Sequence, residues 1–389
     1  MKFNKWTLGL AAVGVVSLAS AARADEKVSQ LNTALSNTTI SGYVDVGAQY
    51  QTANGAAYSL PASSANSLSL NTVDIALDKP LDATPFSAGY HIELWTGPGG
   101  TAAPAPASTG GLVRQAYLAL GTTIAGQEID WKIGVWDTLI GYEGLTSGNN
   151  PNYTHSYGFF VEPTDHTGVQ ATYKVNDEIT VQAAIADDQA GNTATINGAP
   201  TETYPLSAPE FLALVSLTAP DSWGTLKGAT LSVGGTDNTS DAGPKNVYVG
   251  ATVPTPLTAL KLGAAYDYED LGISAGHINV YGIYGTYTAT DKLTFNVRGE
   301  FADQSGVLGG GFGAAAPGGL FADPAAIGAS SEHGEEFTAT ASYQLWANVL
   351  SRVEARWDHA ETVPFYANNS ATSGQKNAFF LGAQLIYTF

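Results

Sequence analysis

The sequence has no cysteine, a single methionine and few charges: Asp, Glu, Lys and Arg make up 13% of its 389 residues, about half the roughly 25% of an average globular protein. Without cysteine there can be no disulfide scaffold, thiolate metal site, cysteine nucleophile or covalent haem attachment. Bases are scarcer than acids, 16 against 35, so the basic footprint of a nucleic-acid binder is missing. Beyond residue 24 no run of about 20 apolar residues occurs, which excludes a helical membrane bundle. Aromatic residues reach 10%, with 19 Tyr beside 44 Gly, too many for a disordered chain. A Tyr-, Gly- and Thr-rich chain with little charge suits an all-β protein.

The one long apolar stretch stands at the start. Lys2 and Lys5 precede Leu8 to Leu18, and Ala22-Arg23-Ala24 has the small-x-small form of an export cleavage site. Residues 1–24 are therefore predicted to be a removed signal peptide, and the mature chain to begin at Asp25. No Cys follows the apolar stretch, so lipoprotein processing is excluded. Removal takes away Lys2, Lys5 and Arg23 but no acid, moving the net charge from −19 to −22. Residues 25–38 set Val28, Leu31 and Leu35 at helical spacing, a short periplasmic lead before a single domain over 39–389.

From Thr39 the hydrophobic period is two. Ile40, Val44, Val46, Ala48 and Tyr50 share one parity, Ser41, Asp45 and Gln49 the other. The alternation returns in runs such as Phe86-Ala88-Tyr90-Ile92-Leu94, Ile129-Trp131-Ile133-Val135, Phe211-Ala213-Val215-Leu217, Ile278-Val280-Gly282-Tyr284 and Phe379-Leu381-Ala383-Leu385-Tyr387-Phe389. With Leu112 to Leu120, whose facing the pattern leaves open, the count is about 16 strands of nine to eleven residues, the length of a tilted membrane-crossing strand. Connections alternate between long (52–67, 96–111, 138–165, 187–209, 235–245, 303–334, 359–376) and compact, with 270–276 modest among the long ones. That parity predicts a transmembrane antiparallel β-barrel with long external loops, short periplasmic turns and no open edge in lipid. The chain ends on Phe389, with Tyr387 in phase, the form of an outer-membrane assembly signal read by the barrel assembly machinery.

Parity also sorts charges. Lys132, Lys174, Lys261, Arg298, Arg352 and Arg356 fall on the inward phase, as do Asp45, Glu93, Asp267, Glu300, Glu336, Glu354 and Asp358. Charges repeated at period two do not fit a dry core, and about 16 strands enclose more space than side chains fill. A wet, polar lumen is expected, whether these charges line a pore or only pair along the wall.

The densest motif follows the fifth strand: Trp136-Asp137-Thr138-Leu139-Ile140-Gly141-Tyr142-Glu143, then Asn152-Tyr153-Thr154-His155-Ser156-Tyr157 and Glu162-Pro163-Thr164-Asp165. The stretch Ile133 to Tyr173, with IGYE, NPNY, SYGFFVEP and HTGVQATY, resembles the putative β-barrel porin-2 (OmpL-like) family of bacterial outer membranes. SGYVDVGAQY near the start and the final strand fit it too, so the resemblance spans the mature chain. It implies a passive channel in the outer membrane, without cofactor, and brings no substrate site. A Lys often stands in that family where Val135 stands here, so one basic lumen contact is absent.

This third long connection occupies the place of the loop that folds into the barrel of general porins. Folded inward, Tyr142, Glu143, Asn152, Tyr153, His155, Glu162 and Asp165 are predicted to form a constriction; the other reading is an external loop packed on its own rim or on a neighbouring subunit. Charges there act within about 8 Å at physiological salt. Glu143, Glu162 and Asp165, facing Lys132, Arg298, Arg352 and Arg356 across water, would give a mild cation preference and a transverse field that favours dipolar solutes. The partners expected are ions, small hydrophilic solutes, outer-membrane lipid and two further copies in a homotrimer.

Other motifs are weak. Gly309 to Gly313 lacks the Lys-Ser/Thr of a phosphate loop, and no metal spacing of His occurs. Two rival readings remain. One is a barrel enzyme, a rim protease or phospholipase, with Asp358 and His359 as carboxylate and base of an activated water; activity on peptide or lipid would reveal it. The other is a barrel that scaffolds a partner, any haem then being the partner's own.

Overall fold

The computed structural model describes residues 37–54, 67–97, 113–189, 209–239, 243–271, 276–305, 331–361, 365–367 and 374–389. The leader, the residues Val28, Leu31 and Leu35, and the glycine run 309–313 lie outside them. Sixteen antiparallel strands close into one barrel. They are β1 (Thr39–Gln51), β2 (Ser67–Lys79), β3 (Ser87–Thr96), β4 (Val113–Ile124), β5 (Gln127–Asp137), β6 (Asp165–Lys174), β7 (Ile179–Gln189) and β8 (Glu210–Thr218). The second half holds β9 (Thr230–Asn238), β10 (Lys245–Pro254), β11 (Leu260–Asp270), β12 (His277–Thr288), β13 (Leu293–Ser305), β14 (Ser331–Trp346), β15 (Val349–Ala360) and β16 (Asn377–Thr388). Each pairs with its neighbours in sequence, and β1 pairs with β16 to close the ring.

Tight turns hold the end that carries the described termini. Ala125 and Gly126, both at positive φ (52° and 83°), join β4 to β5 as a two-residue hairpin turn that such backbone angles favour. Ala347 and Asn348 join β14 to β15. The alternation of lengths fails once: the eleven residues 219–229 between β8 and β9 outnumber the six external residues 239–244. A 3-10 segment, Asp221–Leu226, fills the longer turn. At the opposite end Phe365–Ala367, from the last connection, pairs with Gly374–Gln375 and with Ala53–Asn54 of the first.

The outer face is the apolar one. Val46, Leu118, Ile133, Val215, Val233, Val353, Leu381 and Leu385 are among its exposed side chains, as contact with hydrocarbon demands. Two strands needed the structure to orient them. Leu118 turns β4 outward-apolar and leaves Arg114 and Gln115 buried on the inside. On β12 the expected outward set is reversed: Tyr281 and Ile283 are exposed, whereas Ile278, Val280 and Tyr284 are buried in the lumen. Both phases of that strand are apolar, so alternation alone could not choose.

The seam is finished by Phe389, whose N–H donates to the Gly42 carbonyl at 3.0 Å while the Gly42 N–H returns a bond at 3.2 Å. Its side chain is half-exposed on the outer rim. Deleting Phe389 removes two backbone bonds worth about 1 kcal/mol each from a ladder of sixteen strand pairings. The folded barrel should therefore keep its heat-resistant migration on gels, while outer-membrane levels fall if the residue is an assembly signal. Normal levels of the truncated protein would refute that role.

Candidate functional site

The segment 138–164 turns into the barrel. Its base is sealed by the ladder: Asp137 lies opposite Asp165, and the Thr138 N–H donates to the Thr164 carbonyl at 3.0 Å. Leu139 and Ile140 then pack with Trp136, Leu212, Leu214, Tyr248 and Tyr284. Next Tyr142 stacks on Tyr284 with ring centroids 4.0 Å apart. Its hydroxyl lies 3.2 Å from that of Thr252 and occupies the space a Cβ at Gly263 would need. Farther along, Tyr153 fits beside Gly47 and Gly382 in the same way and packs edge-on against Phe380. The segment ends in a single helical turn, α1 (Tyr157–Val161), capped by the Ser156 hydroxyl, which accepts from the Phe159 N–H.

Inward charges of the wall hold this segment by its backbone. Arg298 donates to Glu143 (2.7 Å), to the Thr154 carbonyl (2.8 Å) and to Glu336 (2.8 Å). Arg352 donates to the carbonyls of Asn150 (2.5 Å), Ser147 (2.9 Å) and Asn152 (3.2 Å). Arg356 donates to the His155 carbonyl (2.6 Å) and to Asp358 (2.7 Å). Carboxylates take the N–H groups: Glu354 accepts from Tyr153 (2.5 Å) and Thr154 (2.9 Å), and Glu300 from Tyr157 (2.5 Å). Asn152 donates to Thr340, while Asn296 and Asn246 donate to the Pro151 and Val161 carbonyls. An irregular segment in a closed barrel has no ladder of its own, so its polar groups must find such partners.

The arrangement corrects the expected electrostatics. Glu143 and Arg298 do not face one another across water; they touch, and both side chains have 0% exposure. Arg352 and Arg356 are equally engaged and buried. Glu162 is buried beside Gly141, and Asp165 lies buried at the base of the segment, accepting from Thr164 at 2.9 Å. Part of the lumen is also dry, because Leu212, Leu214, Ile278 and Val280 pack under the segment. Of the seven predicted constriction residues only Tyr142 and His155 keep partial exposure. The remaining lysines lie elsewhere: Lys174 pairs with Asp177 at an exposed turn, Lys261 is half-buried at the start of β11, and Lys132 is half-buried on β5. Sequence reasoning missed Arg114, which binds Glu93 and, at 2.7 Å, Asp137. It also missed Asn246, Asn296 and Thr340, whose only signal was an amide or hydroxyl at an inward phase.

Burial works to raise the Glu143 carboxyl, yet Arg298 and then His155 outweigh it and hold the group at about 2, below its ordinary 4.5. A depressed carboxyl stabilises the fold above its unfolded value and loses that contribution as pH falls toward the folded one. Glu162 behaves oppositely: burial first, then the adjacent Asp267, pushes it well above 4.5. Its contribution is whole below 4.5 and declines as pH rises. The inward segment should thus resist acid: protease protection of 138–164 is expected to persist from pH 7 to about 3 and to fail only near 2. Release of the segment at pH 5 would contradict this.

A closed sixteen-strand barrel with an apolar outer face and its third long connection folded inside is the architecture of an outer-membrane porin. Solved structures agree in fold. OmpT of Vibrio cholerae, in its trimer form, is similar at 14% identity and TM-score 0.54, covering 90% of this chain and 99% of that one. An anion-selective porin from Comamonas acidovorans reaches TM-score 0.56 at 12% identity over 90% and 99%. The outer-membrane channel DcaP of Acinetobacter baumannii reaches 0.54 at 14% over 90% and 97%. No match was found among curated protein sequences. The chain belongs to the putative beta-barrel porin-2, OmpL-like family, whose model matches residues 37–389, and it is a protein of the bacterial outer membrane.

Proposed function

We propose that the protein is a passive, water-filled diffusion channel for ions and small hydrophilic solutes, working as a homotrimer and mildly cation-preferring. The observation that supports this reading is the inward segment 138–164, which occupies part of the lumen and is bonded to the wall from β10 around to β2. The cation preference rests on bookkeeping of charge. The chain carries net charge −22 after loss of the leader, and the four inward arginines Arg114, Arg298, Arg352 and Arg356 are bound to carboxylates or carbonyls. Asp78 keeps a side chain 42% exposed beside His91, against the two half-buried inward lysines Lys132 and Lys261. Geometry speaks against the enzyme reading. Successive residues of a strand point to opposite faces; Asp358 is buried inside against Arg356 and Tyr157, while His359 meets Asn377 at 3.1 Å on the outside.

Single-channel recording in planar bilayers tests the proposal. Stepwise, ohmic conductance with a small reversal potential of cationic sign under a KCl gradient is expected. Absence of conductance would refute the channel, an anionic reversal potential the selectivity, and cross-linking that yields only monomer the trimer.

A further inference from the structure

Resting on the porin reading, we infer that the inner wall of β2 to β5 carries a binding site for short zwitterionic peptides of two or three residues, with Lys132 holding the carboxylate and Asp78 the ammonium group. The site is a single transverse row. Asp78 lies opposite His91, and His91 opposite Tyr117; Lys132 lies opposite Ala119 on the next strand, a diagonal neighbour of Tyr117. His91 Nδ1 is 3.2 Å from Asp78, the His91 and Tyr117 rings stack at 5.3 Å, and Lys132 Nζ rests 4.7 Å over the Tyr117 ring. The row therefore runs from a carboxylate through two rings to an ammonium.

Lys132 is what distinguishes this wall. Among the described residues its ammonium makes no hydrogen bond or ion pair; the ring of Tyr117 is its contact. The carboxylates that act on it through space are Asp137 and Asp78, and Asp137 is held by Arg114 at 2.7 Å. A half-buried ammonium without a hydrogen-bonded counter-charge is costly, and a ligand carboxylate would offset that cost. A simple anion, however, enters against a strongly acidic protein, and a simple cation gains nothing from Lys132. Only a solute with both charges uses both ends of the row.

Length sets the class. Strands stand about 4.8 Å apart, so the backbones of β2 and β5 lie about 14 Å apart along the wall, an upper bound for Asp78 and Lys132, whose side chains converge toward the axis of the closed barrel. Extended peptides advance about 3.3–3.6 Å per residue, and an ion-pair contact adds about 2.8 Å at each end. Two or three residues fit that span; a lone amino acid reaches one end only.

The test is current interruption in planar bilayers with trialanine as the probe. Alanine, N-acetyl-trialanine and doubly capped trialanine amide serve as controls, on wild type, Lys132→Met, Lys132→Arg and Asp78→Asn. Trialanine should block wild type saturably, with residence about tenfold longer than the doubly capped peptide. Lys132→Met should abolish the difference in a channel that still conducts salt, Lys132→Arg should retain it, and Asp78→Asn should weaken it. Equal blocking by N-acetyl-trialanine would make this an anion site and overturn the class, as would equal blocking by alanine. Persistence of the preference in a conducting Lys132→Met channel would overturn the site. A wild type without conductance would instead remove the porin reading itself.

Discussion

Excising residues 139–163 and closing the gap with a two-residue turn is expected to raise single-channel conductance several-fold while the barrel still assembles. The wall does not depend on the segment: β5 and β6 are paired up to Asp137 and Asp165, and Thr138 bonds Thr164 beyond them. What the excision removes is matter from the lumen, including the buried side chains of Leu139, Ile140, Tyr153 and Tyr157. The wall charges that held it, such as Arg352 and Glu354, would then be hydrated rather than left unpaired in a dry interior. Conductance at the wild-type level would mean that the narrowest part of the channel lies elsewhere.

Replacing Arg298 by Met should be the most damaging single change in the lumen. The guanidinium is wholly buried and joins Glu143 and Glu336 to two backbone carbonyls of the segment, those of Thr154 and His155. Its loss strands two carboxylates together, and breaking a buried ion pair from one side costs about 3–5 kcal/mol. A lower unfolding midpoint and a noisy, enlarged conductance are expected, because the segment is no longer fixed at Thr154 and His155. Arg298→Met combined with Glu143→Gln should recover part of the stability, since the neutral amide no longer carries an uncompensated charge. An Arg298→Met channel as stable and quiet as wild type would show that the remaining anchors, Arg352, Arg356 and Glu354, suffice alone.

Much of this protein could be read from its residues. A strand in lipid must alternate, turns on one side are short because nothing has to be built there, and charges at period two need water or partners. Those rules yielded sixteen strands, the closed barrel and the inward place of Arg298, Arg352, Arg356, Glu300 and Glu354. They failed on a strand whose two phases are both apolar. On β12 the outward set is Tyr281 and Ile283, while Ile278, Val280 and Tyr284 line the inside; on β8, apolar on both faces as well, the expected set Phe211, Val215 and Leu217 does face out. Alternation carries no sign when a strand is apolar on both faces, and a protein segment covering the inner face makes it so.

Tertiary structure alone decided the partners of the inward charges. One-dimensional parity places Glu143 and Arg298 in the same lumen, yet 155 positions separate them. Whether they face each other across water or touch depends on the path of the segment between β5 and β6. That path is fixed by space as much as by charge: Gly263 admits Tyr142, and Gly47 with Gly382 admits Tyr153. Once the segment lies along the wall from β7 around to β2, the arginines become its anchors, and Lys132 on β5 and Lys261 on β11 are left, among the described residues, as inward bases without an ion pair. The sequence by itself determined a barrel with a charged interior, because period and turn length are local properties. Only the closed structure determined which charges are spent on holding the segment and which remain for a solute, because pairing is a matter of distance across the barrel.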